Sequence, residues 1–216
     1  MSRAAETVWT LGRPTIGTIV RLAAKLKVYG RDRVPRQGGV VIACNHFSWL
    51  DPVVLGAASP RTIYYMAKIE AHRARGLGLL IRSFGCFPVR RGESDREAVR
   101  TMRKVVGEGL ALGLFVEGSR QRSGVPGEIQ AGAAMVGLQE GVPIVPVAVH
   151  GSQTWKPFNF HPVSIAFGEP LLFDGLPKGG KGYKEASALL QARIQELFEF
   201  LVEMHELGRP DAVPPR

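Results

Sequence analysis

Val40-Val41-Ile42-Ala43-Cys44-Asn45-His46-Phe47-Ser48-Trp49-Leu50-Asp51-Pro52 opens on an apolar run and closes on an Asp-Pro pair. A short, β-rich apolar run of this kind is the pattern of a buried strand. Asp followed by Pro suits the first turn of a helix, with Asp as N-cap and Pro at the first helical position. A strand passed almost directly to a helix is the repeating unit of an α/β sheet.

The rest of the chain continues this alternation. Strand patterns fall at residues 62–66, 85–89, 112–116, 144–149 and 163–167. Between them, Ser94-Asp95-Arg96-Glu97 is a capping box that opens a helix running to about residue 108. A second helix is expected over 131–140, stopped by Gly141, and a last one over 183–206. That last helix carries Leu190, Ile194, Leu197, Leu201 and Met204 at helical spacing, the stripe of a core-packing face. The expected fold is therefore α/β: one domain with a central, mostly parallel or mixed sheet flanked by helices.

At the N-terminus, residues 8–28 read as a short basic amphipathic helix. Pro14 suits its first turn, Ile16, Ile19, Val20, Ala23 and Leu26 share a face, and Arg21, Lys25 and Lys27 supply charge. The pattern fits a helix packed on a core and equally one lying in a lipid headgroup layer. Residues 208–216, rich in Pro and polar groups, read as a frayed tail.

Bulk properties narrow the classes of function. The chain has 216 residues, a net charge of +9 and 45% apolar residues, the composition of a folded basic domain. Such a charge points to an anionic partner, whether nucleic acid, acidic lipid or a phosphorylated substrate. Two cysteines, Cys44 and Cys86, cannot build a disulfide framework, and no Cys/His cluster suggests a metal. No apolar run is long enough to span a bilayer, and Gly12, Arg13 and Pro14 interrupt any signal-peptide core. No Gly-x-Ser-x-Gly is present, so the serine-hydrolase elbow is missing.

His46 leaves the first strand with a carboxylate, Asp51, five positions on. The two can form an imidazole–carboxylate pair that takes a proton from a hydroxyl; equally, Asp51 can simply cap a helix and His46 satisfy a turn. A second cluster, Glu117-Gly118-Ser119-Arg120, follows the strand at 112–116. Small residues there let backbone N–H groups approach an anion, and Arg120 can grip a phosphate with two N–H groups. Arg90-Arg91-Gly92 leaves another strand end in the same way.

The order of these blocks carries more than any one of them. Asn45-His46 with Asp51, then 85–91, then Phe115-Val116-Glu117-Gly118-Ser119-Arg120, then Val142-Pro143-Ile144-Val145-Pro146-Val147: this sequence resembles the lysophospholipid acyltransferase family, the 1-acylglycerol-3-phosphate and glycerol-3-phosphate O-acyltransferases. The likeness covers about residues 40–151. It departs from the family pattern at Val116, where a proline is usual, at Ser119, usually threonine, and at Arg90, often acidic.

The resemblance implies transfer of a fatty acyl group from acyl-CoA or acyl carrier protein, a co-substrate, with no cofactor and no metal. His46, oriented by Asp51, would deprotonate the acceptor hydroxyl. Lys68, Arg91, Glu117, Gly118, Ser119 and Arg120 would hold a lysophospholipid acceptor, by default 1-acyl-sn-glycerol-3-phosphate giving phosphatidate, with Arg91 and Arg120 on its phosphate. Residues 31–207 would form the acyltransferase domain and 1–30 a helix in contact with an anionic membrane surface. The protein would be peripheral, on the cytoplasmic face of the membrane, with no nucleic-acid partner. The alternatives are another hydroxyl acceptor, or a basic nucleic-acid-binding domain without enzymatic activity. Cys44 reads as a small core residue, and His72, His150, His161 and His205 as surface or turn residues.

Overall fold

Every residue of Val40–Cys44 is buried, and the side chains divide between two clusters as strand alternation requires. Val40, Ile42 and Cys44 join one hydrophobic cluster, Val41 and Ala43 the other. The segment is thus a central strand covered on both faces. The computed structural model describes residues 17–68, 86–89 and 96–216. Arg90, Arg91, His72, Ser94 and Asp95 of the capping box, and residues 8–16 of the expected first helix lie outside the described residues.

Among the described residues seven strands form one sheet: β1 (Lys27–Tyr29), β2 (Val40–Cys44), β3 (Ile63–Lys68), β4 (Phe87–Val89), β5 (Ala111–Phe115), β6 (Ile144–His150) and β7 (Ser164–Phe167). Their spatial order is β1-β7-β6-β2-β5-β3-β4. All neighbours run parallel except β6 and β7, so the sheet is mixed. Besides the helical segment 17–23, the described residues include the helices α1 (Asp51–Ala58), α2 (Arg96–Gly107), α3 (Gly132–Glu140) and α4 (Gly180–Glu206).

The α1 residues Val54, Leu55 and Ala58 pack with the Val40/Ile42/Cys44 side of β2, while Met102 and Val105 of α2 and Val136 of α3 pack with Val41 and Ala43. The long α4 serves both clusters, Leu190 and Ile194 in one and Leu197, Leu201 and Met204 in the other. The expected core stripe of that helix is therefore buried. Gly141 ends α3 in the left-handed conformation, its N–H donating to Gly137 O. No described helix is long and apolar enough to cross a membrane.

Two boundaries differ from the sequence reading. The first helix stops at residue 23 rather than 28. Lys25 turns the chain at φ 42°, and Lys27–Tyr29 becomes β1 on β7. The edge of β7 would otherwise leave its backbone groups unpaired, and that pairing outweighs continuation of the helical pattern. The tail also docks: Arg33 donates to Phe167 O, Pro214 O and Pro215 O, Pro214 is buried, and Lys27 pairs with Asp211.

Because β2, β3, β4, β5 and β6 run parallel, the loops after them emerge on one sheet edge. Registers Cys44↔Phe115, Cys44↔Val147 and Lys68↔Val89 align the C-terminal parts of these five strands there.

Candidate active site

Asn45 sets the loop after β2 in place. Its Nδ2 donates to Val149 O at 3.1 Å and its Oδ1 accepts from Val149 N at 2.8 Å, so the side chain acts as one more rung between β2 and β6. The next residue, His46, is fixed at both backbone groups. Its N–H donates to Glu117 Oε2 (2.7 Å) and its carbonyl accepts from Gln121 N (2.7 Å).

The turn from His46 to Asp51 closes on one carboxylate oxygen. Asp51 Oδ2 accepts from Phe47 N at 2.6 Å and Ser48 N at 2.7 Å, and lies 2.8 Å from His46 Nδ1. Asp51 is the first residue of α1, with Leu50 at the N-cap position and no side-chain cap bond. The two sequence readings of Asp51 are thereby separated: its carboxylate faces back to the His46 turn instead of capping its own helix. An ionised carboxylate only accepts, so Nδ1 carries the proton shared with Asp51 and Nε2 is left as the basic nitrogen.

The imidazole lies on the ring of Phe115, centroids 4.2 Å apart and planes 25° apart, and Tyr65 also stacks with Phe115, centroids 6.2 Å apart. Gly113 makes room for this stack. A Cβ there would fall 2.6 Å from Tyr65 Cε1. A glycine inside a strand marks such a close approach.

After β5, Val116 N donates to Cys44 O and Gly118 takes φ 71°, a conformation suited to glycine. Glu117 points inward and is buried, both oxygens engaged by backbone N–H groups, Oε2 by His46 and Oε1 by Gly127 at 2.8 Å. Burial raises its pKa, the bonds from Gly127 and His46 oppose this, and the Asp51 charge adds to the rise. The sequence reading put Glu117 among acceptor contacts; the structure makes it a clasp between the His46 turn and the 116–130 loop. Ser119 and Arg120 are exposed on that loop, and Arg120 has no ion-pair partner among the described residues.

The backbone of Lys68 ends β3 on the same edge, its side chain lying outside the described residues, as does Arg91. The structure thus brings together His46, Asp51, Glu117, Gly118, Ser119 and Arg120.

Cys44 is no nucleophile: burial, with the charges of Asp51 and Glu117, pushes its thiol well above the ordinary value. His150 and His205 depart from the surface reading. Their rings meet edge to face at 4.5 Å, partly buried, and His205 Nε2 lies 2.8 Å from Ser164 Oγ. The residues missed in sequence are Asn45 and Gln121 as backbone clasps, and Phe115 and Tyr65 as a ring stack. Asn45, Phe115 and the Glu117 loop all sit inside the recognised blocks, which is the signal that could have singled them out.

A family model described as Acyltransferase matches residues 25–150. The chain is 33% identical over 184 residues to a 1-acyl-sn-glycerol-3-phosphate acyltransferase of Bacillus subtilis, covering 83% of this chain and 91% of the relative. It is 28% identical over 188 residues to the protein of that name in Streptococcus pneumoniae, covering 85% and 70%. Among solved structures it is similar to the 1-acyl-sn-glycerophosphate acyltransferase of Thermotoga maritima, with a TM-score of 0.70 and 21% identity over 98% of this chain and 86% of that one.

Proposed function

The chain belongs to the acyltransferase family, and from that premise we propose that it acylates the free hydroxyl of 1-acyl-sn-glycerol-3-phosphate. The donor is acyl-CoA or acyl carrier protein, and the products are phosphatidate and the free thiol. The observation that carries this reading is the His46–Asp51 pair, its turn closed by three contacts to one carboxylate oxygen and clasped to the 116–130 loop.

The steps follow from the free Nε2 of His46. The acceptor O–H gives its proton to Nε2 as its oxygen attacks the thioester carbonyl. Asp51, on Nδ1, stabilises the imidazolium that forms, the arrangement by which a general base contributes roughly 10²–10⁴ in rate. The tetrahedral intermediate then expels the thiolate, and the imidazolium returns its proton to sulfur. No acyl-enzyme forms, which agrees with the inert, buried Cys44.

Exposed Arg120, beside the Gly118 turn, supplies a cation for the acceptor phosphate. Lys68, at the end of β3, joins it, as does Arg91, which follows β4 in the sequence. Glu117 supports the base and does not touch the acceptor. The protein works as a peripheral enzyme on a membrane surface, where its lipid acceptor resides.

The test is a panel of donors and acceptors with the purified protein. Acyl-CoA and acyl carrier protein are each offered with lysophosphatidate, glycerol 3-phosphate and uncharged lyso-lipids, and thiol release and lipid product are both read. Phosphatidate from lysophosphatidate alone supports the reading; equal turnover of uncharged acceptors contradicts the phosphate contact.

A further inference from the structure

Beside the His46 turn, three segments meet at Trp155. Its Nε1 donates to Ala23 O at 3.2 Å, and its ring lies edge-on to Trp49, centroids 5.8 Å apart, in the turn that carries His46. Trp155 belongs to the connection between β6 and β7, whose exposed tip spends free energy without serving the core. Phe158 is 91% exposed and Phe160 51%, and both hold positive φ, 70° and 48°. Left-handed backbone is an outlier for bulky residues and persists only where surrounding bonds enforce it.

Asn159 enforces it. Its N–H donates to Lys156 O (3.2 Å), its Nδ2 to Thr154 O (3.0 Å), and its Oδ1 accepts from His161 N (3.0 Å). The helical segment before Ala23 adds two further apolar side chains, Ile19 at 59% and Leu22 at 71% exposure.

The exposed charges carried by these three segments have one sign. Arg21, Lys25 and Lys156 are exposed, while the sequence holds no acidic residue from Gly17 to Arg31, from Val40 to Leu50, or from Ser152 to Val163. Asp51 is buried, and Asp211 is paired with Lys27. A basic fringe around aromatic and aliphatic side chains matches an anionic lipid surface. A second copy of the chain would set like charges against each other, which works against self-association.

We propose that residues 152–162, with Trp49 and the segment 17–23, dock the protein on an anionic bilayer, Phe158 and Phe160 entering the headgroup layer. The inference rests on the acyltransferase reading only in that the acceptor is taken to be a lipid. It centres the contact on the connection between β6 and β7, with residues 17–23 of the helix expected from sequence at its side.

Vesicles of phosphatidylcholine containing phosphatidylglycerol, with neither donor nor acceptor present, provide the test. A Phe158→Ser/Phe160→Ser double variant should lose at least about tenfold in vesicle partition, with its melting temperature held because both side chains are exposed. Lys156→Glu should weaken binding to these vesicles and leave binding to pure phosphatidylcholine unchanged. In Phe158→Trp, brominated acyl chains should quench more emission than in the wild type. Unchanged partition of the double variant, or no added quenching in Phe158→Trp, overturns the proposal. A double variant that loses self-association but not partition overturns it in favour of a second copy. Vesicle binding without any acyl transfer supports the docking surface and counts against the enzymatic reading alone.

Discussion

Glu117 reaches His46 through the backbone: its Oε2 accepts the His46 N–H at 2.7 Å while its Oε1 holds the N–H of Gly127 at 2.8 Å. With both oxygens engaged, the carboxylate positions the base. Glu117→Gln turns one acceptor into a donor facing an N–H, so the His46 turn shifts. The turnover number should fall about 10- to 100-fold, as expected for a displaced catalytic group, with the acceptor KM nearly unchanged. A raised KM at full turnover would put Glu117 on the acceptor instead.

Arg120 should show the opposite division. It is exposed on the loop after β5, so Arg120→Ala leaves the fold intact. Loss of a charge-assisted contact worth about 1.5–3 kcal/mol raises the KM for a phosphate-bearing acceptor roughly 10- to 100-fold. Steady-state kinetics with phosphorylated and uncharged acceptors check this, and the uncharged acceptor should not notice the change.

Gly113 carries a prediction about stability. A Cβ there would meet Ile63 Cγ2 and Tyr65 Cε1 at 2.6 Å. Gly113→Ala should cost about 1–3 kcal/mol, the range for overpacking in a dense core, read as a lower denaturant midpoint. Turnover should fall with it, because Tyr65 supports Phe115 and Phe115 supports His46.

The partly buried histidines make stability depend on pH. Burial first, then His150, Arg209 and His161, lower the His205 pKa to about 4, and burial with His161 lowers that of His150. Both resist protonation in the folded protein and take up a proton more readily when unfolded. Their stabilisation is fully present above the ordinary histidine value of 6.5 and is lost as pH falls below it, for His205 down towards about 4. The melting temperature should therefore drop between pH 7 and pH 5, and His205→Gln should flatten that slope.

Local pattern made most of the fold legible. The runs at 40–43, 62–66, 85–89, 112–116, 144–149 and 163–167 each fall on an observed strand, because buried parallel strands are continuous apolar segments. Lys27–Tyr29 escaped because three residues carry no pattern of their own, and only the open edge of β7 makes them a strand. The Arg33 bonds that dock the tail are likewise tertiary. At the site, His46, Asp51 and the 117–120 block could be read from spacing and order. The inward turn of Glu117, the Asn45 clasp and the His150–His205 contact depend on which strands are neighbours, and spacing alone does not encode that.

Single-turnover transfer by His46→Ala tests the central claim most directly. With wild-type melting behaviour and saturating donor and acceptor, the rate should fall at least about 10²-fold, and lowering or raising pH should not restore it. A folded His46→Ala protein that transfers the acyl group at the wild-type rate would contradict the assignment of the base.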